Sequence, residues 1–193
     1  KKRKFFATII LRALGYSTNE SIIKLFHKPL EVGIKEKDKI INRRTAKQIV
    51  IEETNDVLNA GQYISEAFYK NLFKSKIKTV EIIDPSEIGD KVTIIPTILK
   101  DNINPTREDA LIEIYKKMRP GQPVTLDSAK TFFDNMFFNS KRYDLGKVGR
   151  YKINKKLGLS FGLDERVLRK EDIIETLKYL INLSNGKGEK DDI

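Results

Sequence analysis

Apolar residues recur at spacings of three and four in several stretches of the chain, and most of these stretches carry their own start and stop signals. In the run from Phe5 to Leu14, the positions Phe6, Ile9, Ile10, Ala13 and Leu14 share one helical face, and Gly15 follows as a terminator. A second short helix is expected after Ser17-Thr18-Asn19, where Ser17 and Glu20 stand at capping-box spacing. Thr106 lies three residues before Asp109, the same device, and predicts a helix over 107–118 that buries Ala110, Leu111, Ile114, Tyr115 and Met118 before Arg119-Pro120-Gly121 stops it. Thr125 opens another, with Ala129, Phe132, Phe133, Met136 and Phe137 on one face pressed into a core. The last helix is predicted over 171–184, with Ile173, Ile174, Leu177, Leu180 and Ile181 on its stripe and Asn185-Gly186 as its stop. Glu171 and Asp172 fall in its first turn, where negative charge offsets the helix dipole by roughly 0.3 to 1 kcal/mol.

Between 31 and 102 the texture changes. The β-branched runs Gln48–Ile51 and Thr79–Ile83 alternate with the turn-like NDVLNAGQ and DPSEIGD, and Ser65 caps one helix carrying Ala67, Phe68, Leu72 and Phe73. The expected fold is therefore α+β: a mostly helical domain made from 1–30 and 103–193, with 31–102 inserted as a small, mostly-β module. Glu52-Glu53 is a carboxylate pair adjacent in sequence, so on a strand its two side chains point to opposite faces and cannot share a proton.

Charge narrows the partner. The 193 residues carry 37 Lys and Arg against 27 Asp and Glu, a formal charge of +10, which favours a polyanion, either nucleic acid or an anionic membrane surface. No stretch approaches the roughly 20 consecutive apolar residues of a spanning helix, which counts against a membrane role. The absence of cysteine removes disulfides, thiolate catalysis and cysteine zinc sites. The single histidine, His27, follows Leu25-Phe26 and reads as structural. There is no GK[ST] phosphate loop and no clustered acidic loop of the kind that holds two magnesium ions.

The basic charge is concentrated between 141 and 156, where Lys141, Arg142, Lys147, Arg150, Lys152, Lys155 and Lys156 face one acid, Asp144, with Tyr143 and Tyr151 interleaved and Gly146 and Gly149 as hinges. This composition suits a loop whose cations and main-chain amides meet phosphates. It equally suits a solvated basic face that balances acids elsewhere.

The wording of the chain adds to this. MRPGQP, MFFNSKRYDLGKVGRYKINKKLGL, KEDIIETLKYLINLSNGKGEKDDI and the opening KKRKFFATIILRALGY closely resemble the bacterial DNA-directed RNA polymerase beta subunit, over roughly 1–30 and 103–193. The resemblance implies the beta lobe, a basic wall of the DNA cleft that touches the downstream duplex and the non-template strand far from the nucleotide-joining metal centre. It also implies a piece of a longer subunit, since Ile193 falls inside a motif. By the same resemblance Lys1, Lys2, Arg3 and Lys4 lie near the DNA strands, and Arg119 and Gln122 sit on a loop facing the cleft. Arg150 and Lys152, in the matching GRYK, are placed on phosphates, and Ile193 belongs to a pocket for the non-template strand; Lys155 and Lys156, from the basic run itself, are expected to join the DNA contacts. No cofactor is expected in this segment, and the magnesium implied for the whole enzyme is bound elsewhere. The remaining polymerase subunits and a sigma factor are the implied partners, and the location is cytoplasmic. The stretch 31–102 resembles a site of lineage-variable insertion, and the alternative role is a regulatory module that binds proteins through it.

Overall fold

A computed structural model of the chain describes residues 4–101 and 106–189, so the expectations for Lys1, Lys2, Arg3 and Ile193 lie outside the described residues. The elements run α1 (Ala7–Ala13), α2 (Asn19–Phe26), β1 (Pro29–Gly33), α3 (Lys37–Ile40), β2 (Ile49–Ile51), β3 (Asp56–Leu58), α4 (Glu66–Lys74) and β4 (Thr79–Ile83). They continue through α5 (Pro85–Ile88), α6 (Ile95–Lys100), α7 (Arg107–Met118), α8 (Leu126–Phe137), α9 (Gly146–Leu157) and α10 (Lys170–Ser184). The fold is α+β and mostly helical. It divides into two compact units, Lys1–Gly15 with Pro105–Ile193, and Tyr16–Asn104.

The first unit is all helix among its described residues. α7 packs on both α1 and α8, and Ala13, Ala110 and Ala129, one from each helix, are fully buried. Small side chains at these positions let helix backbones approach closely. Both expected helix starts form as capping arrangements: Thr106 accepts from the Asp109 amide while the Asp109 carboxylate accepts from the Thr106 amide, and Thr125 does the same with Ser128. Arg107 donates from Nε to the Ala13 carbonyl at 3.1 Å, satisfying a backbone group that the end of α1 leaves unpaired. The aromatic face of α8 is only partly sunk. Phe133 is buried and meets Phe137 edge-on at 5.1 Å, while Phe132 sits edge-on to Tyr115 at 5.5 Å.

Two details of the apolar stripes differ from expectation. Phe6 is exposed, whereas Arg12 is fully buried in α1, so the buried surface of that helix wraps further round than its apolar residues indicate. On α10 Leu180 is 52% exposed, and the helix seats itself through Asp172 and Ile174.

The second unit contains two antiparallel ladders, β1 with β4 and β2 with β3. Pro29 is opposite Ile83 and Gly33 opposite Thr79 in the first, and Val50 is opposite Val57 in the second. Val32, Ile40, Ile49, Ile51, Ile64, Tyr69, Leu72, Val80 and Ile82 form its core, with α4 supplying Tyr69 and Leu72. Within 31–102 the expectation of a mostly-β module is corrected, because α3 to α6 lie there beside the short strands. The strand-like runs and α4 are legible in the sequence, but α3, α5 and α6 bury at most two apolar residues each and leave no periodic trace. The division also falls after Gly15 rather than after residue 30. Ile22 and Ile23 of α2 are fully buried, and Ile23 lies beside Gly61 together with Ile95, where a Cβ at Gly61 would meet both at 3.7 and 3.6 Å. The capping arrangement of α2 is shifted by one residue, formed by Thr18 and Ser21 rather than Ser17 and Glu20.

His27, at the end of α2, is buried with Nδ1 3.2 Å from the Glu87 carboxylate. Burial holds its pKa below the ordinary histidine value against the opposing pull of Glu87. Glu52 and Glu53 are exposed in the turn after β2. No described helix is long and apolar enough to cross a membrane.

Candidate nucleic-acid interface

From Gly146 onward the basic segment is a helix, not a loop. α9 runs Gly146–Leu157 and ends on Gly158 in the left-handed conformation at φ 68°, a position that favours glycine. Gly146 and Gly149 therefore belong to the helix, and their amides are not a flexible cradle for phosphates. The preceding Asp144 accepts the Gly146 amide at 2.7 Å and pairs with the Arg166 guanidinium. The bond from Arg166, ahead of that from the Gly146 amide, holds the Asp144 carboxyl below its ordinary pKa.

The segment 159–169 folds back along the start of α9 and fixes it. Leu145 donates to the Arg166 carbonyl at 2.8 Å, and the Leu168 amide donates to the Tyr143 hydroxyl at 2.9 Å. The largest contribution comes from Arg150. Its guanidinium is fully buried, donates from Nη1 to both oxygens of Asp172 at 2.7 and 2.9 Å, from Nε to the Glu165 carbonyl at 2.8 Å and from Nη2 to the Val167 carbonyl. It lies 5.5 Å from the centroid of the Phe161 ring, which Arg169 also faces at 5.0 Å. Asp172 in turn accepts the Arg169 amide at 2.7 Å, closing the first turn of α10. Arg150 is thus a clamp between α9, α10 and their connection. The expectation that it contacts phosphate is corrected: with no accessible surface and its donor groups engaged by the carboxylate and two carbonyls, it has nothing to offer a ligand.

With Arg150 turned inward, the opposite face of α9 is set. At about 100° per residue, Lys147, Tyr151, Lys155, Val148 and Lys152 fall within one arc of about 140°, and all five are exposed. Lys147 lies 3.7 Å from Asp164, a pair open to solvent on both sides and therefore weak. Among the described residues, Lys152 and Lys155 have no ion-pair partner. Lys156 departs from the expected set. It is half-buried, its amine donates to the Glu189 carbonyl at 3.0 Å and lies 5.1 Å from the Tyr179 ring centroid, so it ties the tail after α10 to α9. Tyr179 holds the same residue from its hydroxyl, donating to the Glu189 carbonyl at 2.6 Å.

The other expected positions are more scattered. Arg119 and Gln122 are exposed and adjacent, with Arg119 Nη1 3.4 Å from the Gln122 side-chain oxygen and its guanidinium 5.2 Å from the Phe132 ring centroid. Lys4 is exposed, and its carbonyl accepts from Lys117 at 3.0 Å. Lys141 and Arg142, just before α9, are exposed as well. A loop reading of the sequence hides the Lys147, Tyr151, Lys155 row, although its spacing of four is present. Among the described residues no group of three or more histidine or acidic side chains is placed to hold a metal ion.

Residues 79–193, from β4 to the last residue, match the family described as RNA polymerase Rpb2, domain 2. The chain belongs to that family. It is similar to the DNA-directed RNA polymerase subunit beta of Leptospira biflexa serovar Patoc, 39% identical over 95% of this chain and 16% of that subunit. The subunit beta of Protochlamydia amoebophila is 38% identical over 98% of the chain and 15% of its own length. That of Geotalea daltonii is 34% identical over the whole chain and 18% of its own length. The chain thus spans less than a fifth of the length of these relatives. The last match extends over 250 residues against the 193 of this chain, so that relative carries additional residues between the matching segments.

Proposed function

We propose that the chain acts as a lobe of a bacterial RNA polymerase beta subunit, holding DNA along the exposed face of α9 while the bond-forming chemistry takes place elsewhere in a larger enzyme. The observation that carries this reading is the arrangement of Lys147, Lys152 and Lys155 on one exposed helix face, fixed by a buried arginine clamp behind it. Lysines on a rigid support displace condensed counterions when they meet a nucleic-acid backbone, with little preference for sequence. Exposed Lys141, Arg142, Arg119 and Lys4 add positive charge in the same unit. The downstream duplex and the non-template strand are the DNA segments proposed, the other polymerase subunits and a sigma factor the protein partners, and the cytoplasm the location. Magnesium belongs to the whole enzyme, outside this chain.

The test is charge reversal at Lys152 and Lys155 together in the assembled polymerase, with open-complex lifetime measured against salt. A shorter lifetime and a salt slope reduced by about one to two units support the reading, at roughly 0.7 to 0.9 for each phosphate no longer neutralised. A slope equal to that of the parent enzyme refutes it.

A second reading has one observation in its favour. Val50 and Val57 face each other across β2 and β3 and are both about half exposed, at 48% and 53%, in the second unit. A protein partner docking on that ladder would make the unit regulatory. Val50→Lys with Val57→Glu would then abolish partner binding and leave RNA synthesis intact.

A further inference from the structure

We infer that Tyr151 is a stacking platform for an unpaired nucleobase, with Lys147 and Lys155 holding phosphates on either side of it. The inference rests on the reading of α9 as a nucleic-acid face and names the form of nucleic acid that the face selects. Tyr151 is 56% exposed, and among the described residues its ring has no aromatic or cationic neighbour and its hydroxyl no hydrogen-bond partner. More than half of it is open to solvent, while the adjacent Arg150, about 100° round the helix, is what seats α9. Lys147 and Lys155 stand four residues before and after it, so the three form a row about 12 Å long on the helix surface. Val148, 69% exposed, borders the row and widens its apolar centre.

An apolar ring between cations suits a strand whose bases are free. In a duplex the base faces are already stacked on one another, and a convex helix would meet only the backbone, for which the lysines suffice. A single strand presents π-faces and phosphates in alternation, and aromatic side chains within a basic track are how such strands are held without sequence preference. An acidic protein surface would pair with the same lysines. It would gain less from a ring standing at the centre of the row with its hydroxyl unengaged.

The experiment uses the assembled polymerase with Tyr151→Leu, Tyr151→Phe or the pair Lys147→Gln and Lys155→Gln. Each is titrated with fully paired DNA and with DNA carrying an unpaired non-template segment, in which 2-aminopurine is placed at successive unpaired positions. The expected result is that Tyr151→Leu weakens binding of the partly unpaired DNA about tenfold, brightens 2-aminopurine at one or two positions and leaves the salt slope and duplex affinity unchanged. Tyr151→Phe retains parent behaviour, and the lysine pair lowers the salt slope on the partly unpaired DNA. If Tyr151→Leu changes neither affinity nor fluorescence while the lysine pair lowers the slope, stacking is overturned and the nucleic-acid face survives. If neither variant alters DNA binding, the underlying reading fails and the inference with it. Loss of a protein subunit from the Tyr151→Leu enzyme, with DNA behaviour unchanged, overturns the inference in favour of a protein contact.

Discussion

Replacing Arg150 with methionine separates a clamp from a ligand contact. The guanidinium and its carboxylate partner are 0% and 1% exposed at the side chain, so the pair lies outside solvent screening. Methionine keeps much of the aliphatic stem but removes the cation. Asp172 would then keep the Arg169 amide as its donor, at 2.7 Å, and the carbonyls of Glu165 and Val167 would lose the guanidinium donors they now accept from. Breaking a buried pair from one side costs about 3 to 5 kcal/mol, chiefly because the remaining charge is stranded. Each carbonyl left unsatisfied adds to that cost. Urea unfolding of the chain followed by circular dichroism should show a loss of at least about 3 to 5 kcal/mol for Arg150→Met, and Arg150→Lys should recover only part of it, since an ammonium cannot reproduce the planar fork. The double variant Arg150→Met with Asp172→Leu should lose less than Arg150→Met alone, because no charge is stranded. A loss below about 1 kcal/mol, the range of an exposed pair, would refute the clamp. It would return Arg150 to the role of an available cation.

Other consequences follow from particular residues. Gly158→Ala, in open space at φ 68°, should destabilise the chain by about 1 kcal/mol through backbone strain alone, measurable in the same unfolding assay. Thr106→Ala removes the side-chain acceptor at the start of α7 and should cost about 1 kcal/mol, whereas Thr106→Ser should cost almost nothing. Burial depresses the pKa of His27 in the folded chain, so the neutral ring is favoured there. Stability is then fully present above the unfolded histidine value of about 6.5 and declines as pH falls from that value towards the depressed folded one. Thermal unfolding between about pH 7 and pH 5 should show this decline in the parent chain and a flatter profile in His27→Gln.

Much of the first unit can be read from sequence because its signals are local. The Thr106–Asp109 box, the Thr125 cap and the glycine stop after α10 each lie within a turn of the boundary they define, and all appear where spacing places them. The failures share a different cause. α9 has few apolar residues, and what holds it is an ion pair between residues 22 positions apart, which no local pattern contains. Glycine at Gly146 and Gly149 and the density of lysine give the segment the composition of an open loop. For the same reason Arg150 groups with the exposed cations by sequence, although its neighbours in space are Asp172 and two carbonyls of the connection that folds back over it. In the second unit the strands show through their β-branched residues, but α3, α5 and α6 are too short for periodicity to register. The Tyr151 row is legible in principle: once a helix is assumed, positions 147, 151 and 155 fall in line.

Everything proposed for the chain depends on the exposed face of α9 lying against nucleic acid. Photo-crosslinking groups placed singly at Lys152 and Lys155 in the assembled polymerase, and activated in the open complex, test this most directly. Crosslinks from both positions to DNA, reduced as salt is raised, are the predicted result. Crosslinks from both positions only to protein, or none at all, would contradict it.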